Sequence, residues 1–151
     1  MIISFIGHGY VSDCLDTKQK LKSILTELLS DCPEVSFYCG GYGDFDNLCA
    51  SVCRELKAEG ARLEIAYVTP YLTISHQRRM EEMKKQGLYD SVIYPPIEDV
   101  PLRFAISRRN EWMMDRADIV IAYVRRNFGG AYRALLRAKR RNKRIINICD
   151  I

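Results

Sequence analysis

Phe37-Tyr38-Cys39-Gly40-Gly41-Tyr42-Gly43-Asp44-Phe45-Asp46 reads as a buried strand, Val35 to Cys39, running into three glycines and then into a helix. Asp44 and Asp46 are two candidate caps for that helix. Glycine suits a turn that needs positive φ, or backbone lying against a ligand with no Cβ between. A helix N-terminus at such a turn presents free N–H groups and the positive end of the macrodipole, which favours a phosphate. For one glycine pair an ordinary tight turn is as good an explanation. Two further glycine turns, Gly7-His8-Gly9-Tyr10 and Gly129-Gly130, each follow an apolar strand and shift the balance.

Working outward, strand alternates with helix along the whole chain. Ile2–Ile6 is the first strand, and Leu21, Ile24, Leu25, Leu28 and Leu29 mark the helix after it. Pro33 stops that helix. Leu48, Val52 and Leu56 share one face of the next, which ends at Gly60. Leu63–Val68 leads to Thr69-Pro70-Tyr71, then a polar helix spans Ser75–Gln86 with Met80 and Met83 as anchors. Asp90–Tyr94 reads as a short edge strand, and Asp99 and Pro101 open a helix carrying Phe104, Ala105, Trp112 and Met113. Ile119–Val124 is the fourth main strand, and a basic helix precedes the last, Ile145–Cys149. The pattern predicts an α/β domain over residues 1–151, with a mostly parallel five-stranded sheet and helices on both faces. In such sheets ligands sit at the carboxyl ends of the strands, where strand order reverses.

The bulk properties narrow the setting. The 151 residues make one domain, and 48% hydrophobic with 28% charged residues describe a folded globular chain. No apolar run approaches the roughly 18 residues of a membrane span, and Met1–Ile6 is too short for a secretion signal. A cytoplasmic setting with reduced thiols is the expectation. The six cysteines form no CxxC pair and only two histidines accompany them, so neither a metal site nor a cofactor is expected. Net charge is +4, with nine Lys or Arg and no acid between Arg125 and Arg144. That run suits an anionic partner or a solvated helix face equally.

Several side chains could act on a ligand. His8 could donate to a phosphate or move a proton, or simply cap the sheet edge. Asp46 could hold a ribose hydroxyl or cap its helix. Arg109 and Asn110 supply a forked donor and an amide for a phosphate or sugar edge. Trp112, Met113 and Met114 read as core. Tyr42, Tyr71 and Tyr132 are candidates to stack on a base.

The glycine turn after strand one, Gly40-Gly41 with Asp46, then Arg109-Asn110, Met113, Asp118 and Gly129-Gly130 together resemble the SLOG superfamily of Rossmann-like domains. That group includes the "lonely guy" phosphoribohydrolases, the SMF/DprA proteins and the YpsA-like proteins, and the chain is most similar to small standalone bacterial and phage members. The resemblance implies a Rossmann-like three-layer fold that binds a nucleotide or nucleotide-derived ligand, ADP-ribose-like or mononucleotide, as a sensor or sequestering protein. The ligand-binding set is then Gly7, His8, Gly9, Tyr10, Gly40, Gly41, Tyr42, Gly43, Asp46, Thr69, Pro70, Arg109, Asn110, Gly129, Gly130 and Ala131. In the hydrolases of that group the late turn reads GGxGTxxE, and its glutamate is needed for cleavage. Here Tyr132 and Arg133 replace the third glycine and the threonine, and Leu136 stands where the glutamate would be. Glycosidic cleavage relies on placed carboxylates, so binding without that chemistry is the expectation and no catalytic residue is assigned. Nucleotide N-glycosidase activity, with Asp44, Asp46 or Glu111 substituting, is the alternative. Nucleic-acid binding through the basic C-terminal helix is a second alternative. Relatives often dimerise, and the 102–116 helix permits a homodimer here.

Overall fold

Why the chain alternates as it does is visible in its local chemistry. A computed structural model describes residues 1–151. Helix α1 (Cys14–Asp31) starts where the Asp13 carboxylate accepts the Asp16 N–H at 3.0 Å, and it buries Leu21, Leu25 and Leu28 along one face. Helix α2 (Gly43–Ala58) ends where Gly60, at φ +101°, turns the chain out of the helix. Helix α3 (Ile74–Lys85) is opened by Thr73, whose hydroxyl accepts the His76 N–H at 3.4 Å. Helices α4 (Ala105–Arg116) and α5 (Gly130–Arg140) complete the set. No helix is long and apolar enough to cross a membrane.

The strands are β1 (Ile2–Gly7), β2 (Val35–Cys39), β3 (Leu63–Val68), β4 (Ser91–Ile93), β5 (Ile119–Tyr123) and β6 (Arg144–Asn147). All pair in parallel, in the order β4-β3-β2-β1-β5-β6. The sheet therefore has six strands rather than the expected five. The short segment read as an edge strand joins through β3, with Tyr67 opposite Val92. The last strand stops at Asn147 and continues as a tight 3-10 turn over Ile148–Asp150, two residues earlier than the apolar run suggests.

Two cores flank this sheet. On one side Leu21 and Leu25 of α1 and Phe45, Cys49 and Val52 of α2 pack on Phe5, Phe37 and Ile121. The Phe5 and Phe37 rings stack 5.6 Å apart across adjacent strands. On the other side Met113 and Met114 of α4 and Leu135 and Ala138 of α5 cover Val120 and Ala122. Each fully buried Leu, Phe or Met contributes about 1.5–3 kcal/mol.

Candidate functional site

The three glycine turns leave the carboxyl ends of β2, β1 and β5, which are neighbours in the sheet. Strand order reverses between β1 and β5, so the turns share the rim where parallel α/β sheets bind ligands. They also touch. Asp44 N–H donates to Gly9 O at 2.9 Å, and the Asp44 carboxylate accepts Val11 N–H at 3.1 Å. Arg125 and Arg126 donate their backbone N–H groups to His8 Nε2 at 2.9 and 3.3 Å.

These contacts correct part of the sequence reading. His8 is buried and its Nε2 accepts from two backbone groups, so the ring is a neutral strut between the β1 and β5 loops, not a phosphate donor through that atom. Burial, then Arg126 and Arg125, lower its pKa and favour the neutral form. Asp44 braces the β1 loop; Tyr42, without a side-chain bond of its own, occupies the cap position of α2. Gly7 is bare because Phe45 lies against it: a Cβ there would meet that ring at 2.4 Å. Thr69 and Pro70 are buried, with the Thr69 hydroxyl donating to Tyr71 O at 2.9 Å, so they shape the β3 turn from within. Tyr132 packs, half-buried, against the α4/α5 core.

Gly40, itself buried, is packed between Arg109 and Asp46. Arg109, only 2% exposed, reaches from α4 to the ends of β2 and β3, where Nη1 donates to Gly40 O at 2.8 Å and Val68 O at 2.6 Å. Its Nε donates to Asn110 Oδ1 at 2.9 Å. Nη2 has no hydrogen bond, and since no sealed side-chain nitrogen or oxygen lacks a partner, Nη2 opens towards solvent. A Cβ on Gly40 would lie 3.2 Å from Nη2 and 3.0 Å from Asp46 Oδ2, so the two side chains close over Gly40 and leave little room for another. The Arg109 guanidinium also sits over the Tyr42 ring, 5.5 Å from its centroid.

Asp46 is 8% exposed, and its carboxylate accepts Tyr42 N–H at 3.0 Å. Burial pushes its pKa up to about 6, against the lowering effects of the Tyr42 N–H and Arg109. Folding thus favours the protonated acid. That contribution is complete below an ordinary Asp pKa of 3.8 and lost as pH rises through about 6. The carboxylate costs about 3 kcal/mol at neutral pH. Asp46→Asn keeps an acceptor for Tyr42 N–H and is expected to be more stable than the parent at pH 7.5 but not at pH 4. Urea melts at both values read this difference, which cancels the opposite contributions of Glu55, Asp90 and Asp115, whose pKa values are lowered. An equal stability gap at the two pH values would remove the buried-carboxylate account.

The third turn continues this arrangement. Asn110, bonded to Arg109, also lines a groove between α4 and α5 with Gly130, Glu111 and Arg133. Gly129 has φ +91° and, like Gly130, is exposed with nothing around it, so the first N–H groups of α5 are accessible. Leu136 is half-buried on α5, and the nearest carboxylate in this groove is Glu111. The basic helix is partly compensated: Arg137 forks onto Asp115 at 2.8 and 2.7 Å and Arg141 joins at 3.3 Å. Arg133 and Arg140 have no acidic partner. Exposed Tyr10, Tyr42, Leu72, Ile74 and Phe128 lie along the same rim, with Arg126 stacked over Phe128 at 5.1 Å.

No family model matches the chain, and no curated protein matches it significantly. Two solved structures resemble it closely in shape. DNA processing protein A (DprA) from Streptococcus pneumoniae is 14% identical with a TM-score of 0.65, the match covering 95% of this chain and 48% of that one. DprA from Helicobacter pylori, described in terms of a single-stranded DNA binding mode, is also 14% identical with a TM-score of 0.65, covering 96% of this chain and 63% of that one. The chain spans about half to under two thirds of the length of these structures. In its six parallel strands and flanking helices the chain has the Rossmann-like α/β fold of the DprA structures.

Proposed function

We propose that the chain binds a nucleotide-derived small molecule at the carboxyl rim, without cleaving its N-glycosidic bond. The observation that carries this reading is the open turn at Gly129–Gly130, where the first N–H groups of α5 are exposed beside Asn110 and the unpaired Arg133. Asn110 is held by the buried Arg109, which with Asp46 packs on Gly40. A carboxylate held at a cost to stability marks a functional position more than a packing one. The exposed N–H groups of α5 suit a phosphate, and the Asn110 amide suits a ribose hydroxyl. Leu136 can neither take a proton nor stabilise an oxocarbenium ion, which supports binding over hydrolysis. The expected biological use is sensing or sequestering such a ligand.

Calorimetry against ADP-ribose and mononucleotides tests the reading, with Gly130→Asp as the informative variant. An acid at the first position of α5 favours the helix and meets open space, so the variant keeps its fold while repelling an anion. Saturable one-to-one binding that weakens at least tenfold in Gly130→Asp is the expected result. Silence across the panel from folded protein would sink it.

A second reading, single-stranded nucleic acid along the α4/α5 groove, draws on the unpaired Arg133 and Arg140, the Arg126–Phe128 pair and the DNA-binding neighbour. A labelled oligonucleotide belongs in the same panel. Steeply salt-dependent binding that weakens in Arg140→Gln, with mononucleotides leaving the calorimeter silent, would favour it.

A further inference from the structure

A separate pocket of about 220 Å³ opens between α2 and α3, where the Gly40–Tyr42 turn ends. Tyr67 and Tyr89 form one wall, their ring centroids 5.2 Å apart, and the exposed Tyr42 stands beside them. Gly41 makes this wall possible. At φ +74° its backbone lies so close to Tyr67 that a Cβ would sit 2.4 Å from the ring.

The polar lining is one-sided. It consists of Asn47, Arg54 and Arg79, and no lining residue is acidic. Arg54 makes one long bond, Nη1 to Leu88 O at 3.4 Å, and Arg79 has neither an ion pair nor a hydrogen bond. Two guanidiniums therefore face a tyrosine-walled hollow with donors to spare. Complete ligand sites usually occupy about 300–1,000 Å³, so this volume suits one planar ring system rather than a whole dinucleotide.

We propose that this pocket receives the base of the ligand bound at the carboxyl rim, and that it selects a 6-oxopurine over a 6-aminopurine. The inference rests on the nucleotide reading above and names its substrate class. A guanine-type ring presents O6 and N7, two acceptors spaced to meet a guanidinium fork. Adenine replaces O6 with an amino donor, which would face cationic donors and leave both sides unpaired. The tyrosine faces accept either ring and so do not discriminate. Selectivity comes from the arginines.

The test is calorimetry with GMP, IMP, AMP and ribose 5-phosphate on the parent protein, Arg54→Gln and Arg79→Gln. Arg79 is an exposed α3 residue, so its replacement leaves the fold intact, which far-ultraviolet circular dichroism verifies. GMP and IMP are expected to bind at least tenfold more tightly than AMP. At least one glutamine variant should bring GMP down to the AMP level while ribose 5-phosphate is unaffected. AMP binding as tightly as GMP, or a guanine preference surviving in both variants, overturns the base assignment and leaves the nucleotide reading standing. No binding of any of the four, ribose 5-phosphate included, overturns both.

Discussion

Arg109→Met is expected to destabilise the protein by about 3–5 kcal/mol, the range seen when one partner of a buried charged arrangement is removed. The methionine fills much of the same space, so the loss is not a cavity effect. It follows from the groups left behind. Gly40 O and Val68 O lose the Nη1 donor that ties the ends of β2 and β3 together, and Asn110 Oδ1 loses Nε. Each buried acceptor left without a partner costs about 1–3 kcal/mol. Asp46 also loses the cation that counters its desolvation, so its pKa should rise further. Arg109→Lys restores the charge but not the fork, and recovery should be partial. Urea melts of the three proteins at one pH check this. A methionine variant within about 1 kcal/mol of the parent would mean that Arg109 is not the tie described.

That arginine also marks the limit of what the residues alone disclose. Its type argues for the surface, where arginines normally lie. Its position argues otherwise: Ala105, Arg109 and Met113 recur every four residues, and this stripe is the buried face of α4. The periodicity held the signal; residue type obscured it. The alternation of strands and helices was legible because central parallel strands such as Val35–Cys39 and Leu63–Val68 are apolar runs broken only by Ser36 and Glu64, with turn residues at both ends. The sixth strand was harder to read, since three residues between polar turns carry little pattern and β4 owes its place to pairing with β3. Cap chemistry likewise depends on where the chain goes next. Asp44 looks like a helix cap in isolation, but the fold brings the β1 loop within reach and Val11 N–H takes the carboxylate instead. The tyrosine-walled pocket joins residues from Gly41 to Tyr89, a juxtaposition that no local spacing encodes.

Of the glycines in the organising turn, Gly43 should tolerate a side chain least. Gly43→Ala is expected to cost about 3 kcal/mol from two separable sources. The backbone at φ +87° is left-handed, where an L-residue costs about 1–2 kcal/mol. The added methyl would also lie 2.6 Å from Gly9 Cα, backbone against backbone, so neither side can rotate away. Relief would require the β1 and β2 loops to part, straining the Asp44 N–H bond to Gly9 O and the Val11 N–H bond to Asp44. Gly60 separates the two sources. It has φ +101° but open space around it, so Gly60→Ala carries the conformational cost alone. The excess of Gly43→Ala over Gly60→Ala in urea melts then measures the contact between the two glycine turns. A second consequence concerns the site: parting those loops shifts Tyr42 and Asp46, so Gly43→Ala should weaken ligand binding where Gly60→Ala leaves it unchanged. Equal stability losses in the two variants would mean that the turns do not press on one another, and the close-packed contact between the β1 and β2 loops would have to be abandoned.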